Sequence, residues 1–143
     1  MLFRSSFWRS VGGSQNCFFY ESFIDELAHA AGKDPYRFRR DMVSRVDFVG
    51  VLEKLHEASN WIQKLPTGRG RGIAVAENHG SVVGTVAEVT ANGRDSVRVD
   101  RLVVAVDCYH VANPKIIESQ MESGAIYGLS AVLYGEKIGR AHV

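Results

Sequence analysis

Eight residues near the start of the chain, Trp8-Arg9-Ser10-Val11-Gly12-Gly13-Ser14-Gln15, hold the residue types that could grip an anion. Two glycines let the backbone come close to a ligand. Helical periodicity begins near Asn16, so the stretch leads into a helix N-terminus. Unpaired N–H groups and the helix dipole favour negative charge there. Arg9 adds a planar fork of donors suited to phosphate or carboxylate. The same residues also describe a plain turn that caps a helix, and on local pattern that is the commoner reading.

Other reactive residues are scattered. None of the five histidines (His29, His56, His79, His110, His142) has a second donor at helical spacing, so no metal site is predicted. Asp107, Cys108 and His110 invite a nucleophile or a metal, but a lone cysteine at the apolar end of a strand reads as core. Glu21 and Glu122 are candidate acids or bases with no partner visible in the sequence. Gly68-Arg69-Gly70-Arg71-Gly72 alternates glycine with arginine. A phosphate-gripping loop is conceivable, but the lysine–hydroxyl ending of a nucleotide loop is missing, and a flexible connector is the expectation. Arg37, Arg39 and Arg40 read as a solvated helix face.

The 143 residues allow one ordinary domain with its own core. A net charge of +1 gives no global pull toward nucleic acid, and no nucleic-acid partner is expected. Cys17 and Cys108 make no disulfide framework. No run is apolar and long enough to span a bilayer. Residues 1–7 lack the apolar stretch and cleavage pattern of a signal peptide, and no compartment is readable.

The elements that must position these residues read as α+β: helices first, then an antiparallel hairpin or small sheet, then a C-terminal helix. The first helix is expected over residues 16–31, with Phe19, Phe23 and Leu27 four apart and Gly32 as its stop. Asp34-Pro35 starts a second, with Phe38 and Met42 inward. Asp47 caps a third to about Asn60, whose apolar face is Val51, Leu52, Leu55 and Ala58. The breaker cluster from Leu65 to Gly72 marks the change to strand periodicity and the expected internal boundary. Ile73 to Ala76 and Val82 to Thr90 read as strands, Asn92-Gly93 as a turn, and Ser96 to Val106 as the returning strand. Asn113-Pro114 opens the last helix, which is rich in both apolar and small residues. Close packing against a neighbouring backbone and a ligand explain the small residues equally well.

Three blocks, in order, go further. WRSVGGSQN…ESFIDELAHAAGKDPYRFR, GRGIAVAENHGS and AVDCYHVANP…QMESGAIYGLSAVLYGE together resemble the molybdopterin-binding large subunit of the xanthine oxidase superfamily. The branch they resemble is the isoquinoline 1-oxidoreductase β subunit, in its carboxy-terminal region, and the likeness runs from Phe7 to Glu136. It implies part of a larger molybdopterin-binding domain in a bacterial oxidoreductase that hydroxylates N-heteroaromatics or aldehydes with water as oxygen source. The implied cofactor is molybdopterin with molybdenum, in the cytosine dinucleotide form. The implied partner is a small subunit carrying iron–sulfur clusters, and the protein's share is binding, orientation and electrostatics.

By that resemblance, Arg9 lines the molybdenum site, Trp8 and Gly12 shape it, and Gln120 hydrogen-bonds the pterin. Gln15 and Glu21 tie the turn to its helix. Ser10 stands where a glycine is common, Val11 where an aromatic is common, and Ser123 where the branch more usually has glycine. The family's catalytic base, a glutamate in a GVGEP-like segment, has no counterpart in this sequence, so no catalytic residue is assigned. No GQG pterin-binding segment occurs either, which fits the isoquinoline-type branch. Residues 1–6 are expected to be a non-family start, 7–136 a partial cofactor-binding domain, and 137–143 a non-native tail of the kind a sequencing adapter encodes. The alternative is a free-standing, non-catalytic binding or assembly module descended from such a subunit.

Overall fold

A computed structural model of the chain describes residues 9–93 and 96–135. Trp8, His142, the start at 1–6 and the tail at 137–143 lie outside the described residues. Among the described residues, four helices and a three-stranded antiparallel sheet give the expected α+β composition. The chain divides into two compact units, Met1–Tyr109 and His110–Val143. That division falls after the sheet and not at the Gly–Arg cluster, because the cluster is itself built into the sheet.

In the first unit α1 spans Gly13–Ala30, α2 Pro35–Met42 and α3 Val46–Ala58. Asp34 caps α2, its side chain accepting from the Arg37 N–H at 2.9 Å, and Pro35 occupies the first turn. Asp47 does not cap α3. Arg45 is the N-cap, and Asp47 lies in the first turn, accepting from the Phe48 N–H and pairing with Arg45. The outward reading of α2 is also wrong for one residue. Arg39 is 2% exposed and faces inward, whereas Met42 is exposed.

The strands β1 (Arg69–Asn78), β2 (Ser81–Ala91) and β3 (Val97–Asp107) form a meander in the order β1-β2-β3. A two-residue turn joins β1 to β2, with His79 at φ 50° and Gly80 at φ 79°. Two successive left-handed residues match the twist of an antiparallel hairpin. Asp100 is the extra residue of a bulge, since Glu88 pairs with Arg101 and Val89 with Val99.

One face of the sheet carries Ile73, Val75, Val82 and Val86, which pack with Val51, Leu52 and Leu55 of α3 as the core. Burying each such leucine or isoleucine contributes about 1.5–3 kcal/mol. Gly84 allows α3 to come close: a Cβ there would sit 2.5 Å from Leu55 Cδ1 and 2.8 Å from Val51 Cγ1. The other face of the sheet carries Ala74, Ala76, Val83, Thr85, Ala87, Leu102, Val104 and Val106, with no charge among them.

In the second unit α4 spans Pro114–Tyr134. Asn113 caps it, accepting from the Lys115 N–H at 3.1 Å. None of its residues is buried, and Ile116, Ile126, Val132 and Tyr134 are well exposed.

Candidate functional site

The turn expected before the first helix is present, and its backbone is strained. Ser10 and Val11 both adopt left-handed conformations, at φ 69° and 51°. Left-handed backbone costs an L-residue roughly 1–2 kcal/mol, and a β-branched residue such as valine is rare there. The Gly13 N–H donates to the Ser10 carbonyl at 2.8 Å, and the Ser10 hydroxyl donates to the Arg9 carbonyl at 2.5 Å. Gly12 is the N-cap of α1, and no side chain caps that terminus. Beyond the Gly13 N–H, the first-turn N–H groups are left for solvent or an anion. Gly13 sits close to β1: a Cβ there would lie 3.0 Å from the Asn78 side-chain amide, which would have to give way. Arg9, Ser10 and Val11 are exposed.

What anchors α1 is buried and charged. Glu21, one of the unpaired acid–base candidates, accepts from Arg39 Nε at 2.9 Å and from the Val75 N–H at 3.0 Å. Arg39 also reaches Asp25 at 2.6 Å, the Glu21 carbonyl at 3.0 Å and the Pro35 carbonyl at 3.2 Å. One guanidinium thus ties α1 to α2, and one carboxylate ties α1 to the edge strand β1. Burial pushes the Glu21 carboxyl up, against the pull of Arg39 and the Val75 N–H. Its neighbours Cys17 and Tyr20 are also pushed up, chiefly by burial. None of the three is arranged as an activated nucleophile or base. A cavity of about 280 Å³ adjoins this cluster, lined mainly by Tyr20, Ile24, Met42, Val43, Phe48 and Val75.

The Gly–Arg cluster is neither a phosphate loop nor a flexible connector. From Arg69 onward it is strand β1, and its arginines are used internally. Arg71 pairs with Glu88 at 2.9 Å, with both side chains under 10% exposed, and donates to the Trp61 carbonyl at 2.7 Å. Its guanidinium lies 5.5 Å from the Trp61 ring centroid. Arg69 pairs with Asp100 at 2.9 Å. Sequence reasoning missed the Glu21–Arg39 and Arg71–Glu88 pairs, because their partners are 18 and 17 residues apart.

Arg9 and Gly12 share the turn, while Gln120 lies on the exposed surface of α4 in the second unit, as do Glu122 and Ser123. Among the described residues, no group of three or more His, Cys, Asp or Glu side chains could hold a metal ion. His56 stacks on Tyr36 with centroids 4.4 Å apart. Asp107 accepts from the Tyr109 N–H, and His110 is exposed. No helix among the described residues is long and apolar enough to cross a membrane.

With this geometry in place, comparison with known proteins bears out the resemblance carried by the three blocks. The chain is 33% identical to the B subunit of nicotinate dehydrogenase from Pseudomonas putida, over 92% of the chain and 13% of that protein. It is 32% identical to the beta subunit of isoquinoline 1-oxidoreductase from Brevundimonas diminuta, over 89% of the chain and 17% of that protein. It is 30% identical to a membrane-bound aldehyde dehydrogenase of Gluconacetobacter polyoxogenes whose name carries pyrroloquinoline quinone, over 92% of the chain and 20% of that protein. All three bear the names of oxidoreductases, and the chain spans a fifth or less of each. No family model matches the chain, and no solved structure matches it.

Proposed function

We propose that this chain forms part of the cofactor-binding region of a molybdenum hydroxylase large subunit. In this reading Trp8, Arg9 and Gly12 form one wall of the molybdopterin site, and Gln120 contacts the pterin. The observation that carries the proposal is the alignment of about nine-tenths of the chain with subunits named for nicotinate and isoquinoline oxidation. The turn's chemistry supports it. An anionic, phosphate-bearing cofactor fits an 18-residue helix whose N-terminus no side chain caps, preceded by two residues in left-handed backbone and an exposed arginine. Backbone strain concentrates where a ligand is gripped, and Ser10 and Val11 are where this chain carries it.

The bound cofactor supplies the two-electron redox chemistry of heteroaromatic or aldehyde hydroxylation. The chain's own residues bind and orient. Arg9 offers a planar, permanently charged fork, Gly12 keeps the approach open, and the buried Glu21–Arg39 pair holds α1 so that its head is presented in one position. The general base and the iron–sulfur clusters belong to other segments and to a partner subunit.

Elemental analysis tests the proposal. A longer subunit carrying this segment, purified with its iron–sulfur partner, should hold molybdenum in stoichiometric amount. The 143-residue chain alone should not. An active longer subunit without molybdenum would refute the cofactor assignment, and stoichiometric molybdenum on the chain alone would favour a free-standing binding module.

A further inference from the structure

Both donors that reach the Glu21 carboxylate end on one oxygen. Arg39 Nε and the Val75 N–H bond Oε2, at 2.9 and 3.0 Å. Among the described residues nothing donates to Oε1. That oxygen is not walled in, because the enclosed side-chain polar atom without a partner is the Ser59 hydroxyl. Glu21 is 6% exposed and lines the cavity of about 280 Å³ beside α1. A lone acceptor on a buried carboxylate is costly, and a donor held in the cavity would satisfy it. Charge is left over there as well. Glu21 and Asp25 share the single guanidinium of Arg39. All three Arg39 nitrogens already donate, to Glu21, Asp25 and the carbonyls of Glu21 and Pro35. Glu77, the other acid on the cavity wall, shares Arg45 with Asp47 in the same way. The remaining wall is mainly apolar, and all of it comes from α1, α2 with its C-cap, α3 and β1 within the unit Met1–Tyr109.

The geometry points to this cavity as a binding site for a small organic monocation, an amidinium or ammonium group carried on a single apolar ring. The cationic N–H donates to Glu21 Oε1, and the ring packs against Ile24, Val43, Phe48 and Val75. The ligand's charge cancels what Arg39 leaves over, and a charge-assisted bond to a carboxylate is stronger than a neutral one. The volume lies at the small end of ligand cavities, which run from about 300 to 1,000 Å³, so one ring fits and a larger ligand does not. The site is separate from the head of α1, since Glu21 lies roughly two turns further along that helix. It therefore does not rest on the molybdopterin reading.

Isothermal titration calorimetry with benzamidinium tests this at mildly alkaline pH, which favours the ionised Glu21 carboxyl. It is run on the 143-residue chain and on a longer subunit carrying this segment, with circular dichroism as the control for folding. Both proteins should take up benzamidinium saturably. Benzamide, with the same ring and no charge, should bind at least about tenfold more weakly. Glu21→Gln still offers the Val75 N–H an acceptor but carries no charge, so it should weaken benzamidinium by a similar factor in both proteins. Absence of saturable binding in either protein, benzamide binding as tightly as benzamidinium, or unchanged affinity in folded Glu21→Gln would each overturn the inference. Should Glu21→Gln unfold, the comparison of benzamidinium with benzamide on wild type decides, and equal affinities would overturn it.

Discussion

Replacing Arg39 by methionine isolates the interaction on which the position of α1 depends. Methionine fills a similar volume but leaves the Glu21 carboxylate buried with only the Val75 N–H, while half-exposed Asp25 returns to water. Removing one partner of a buried ion pair costs about 3–5 kcal/mol, because the remaining charge stays desolvated. Met1–Tyr109 forms its own unit of 109 residues. At about 2.1 cal/mol/K per residue its unfolding entropy is about 0.23 kcal/mol/K, and the midpoint should fall by roughly 13–22 °C. Thermal unfolding followed by circular dichroism reads this directly. Adding Glu21→Gln removes the stranded charge and keeps an acceptor for the Val75 N–H, so the double variant should recover at least about half of the loss. A drop below about 4 °C for Arg39→Met, or a double variant less stable than the single, would refute the reasoning. The pH dependence has a definite sign as well. Burial raises the Glu21 pKa in the folded state. Between the unfolded value of about 4.3 and that raised value the native state holds the extra proton, so stability falls as pH rises through the window. Wild type should therefore lose stability relative to Glu21→Gln over that range and run parallel to it above.

Three further substitutions follow from local geometry. Ser10→Gly relaxes a left-handed residue at φ 69° and should stabilise the chain by about 1 kcal/mol in urea titrations, whereas a loss would mean the turn is unstrained. Gly84→Ala drives a methyl to 2.5 Å from Leu55 and should destabilise by about 1–3 kcal/mol, and a neutral result would show that α3 can slide away from the sheet. Asp100 is held down to about 2, first by the Thr90 hydroxyl and then by Arg69. Its contribution is present above the unfolded value of about 3.9 and lost as pH falls through about 2, so Asp100→Asn should flatten that acid limb of a stability–pH curve.

Features carried by neighbouring residues were legible in the sequence. Asp34 and Asn113 cap their helices because their short side chains reach N–H groups two or three residues on. The alternation from Val82 to Val89 and the Asn92-Gly93 turn locate the middle of the sheet. Features set by distant partners were not legible. Phe19, Phe23 and Leu27 make a stripe that looks core-facing, yet all three are exposed, and α1 buries Glu21 and Ala28 instead. The polar residue wins that face because Arg39 and the Val75 N–H satisfy it. Likewise Arg69 to Gly72 looked like a connector because glycine and arginine are poor strand formers, and pairing with β2 overrides that propensity. Of the candidate site, the glycines, the arginine and the helix head were readable, but the left-handed backbone at Ser10 and Val11 was not.

The central claim is that Arg9 faces a bound molybdopterin, and one variant tests it most directly. In a longer subunit carrying this segment, Arg9→Ala should leave the unfolding midpoint within a few degrees of wild type, since the residue lies on the exposed turn. Turnover of a heteroaromatic or aldehyde substrate, measured per bound molybdenum, should fall at least about tenfold, the equivalent of one lost charge-assisted contact of about 1.4 kcal/mol. Unchanged turnover per molybdenum would contradict the account.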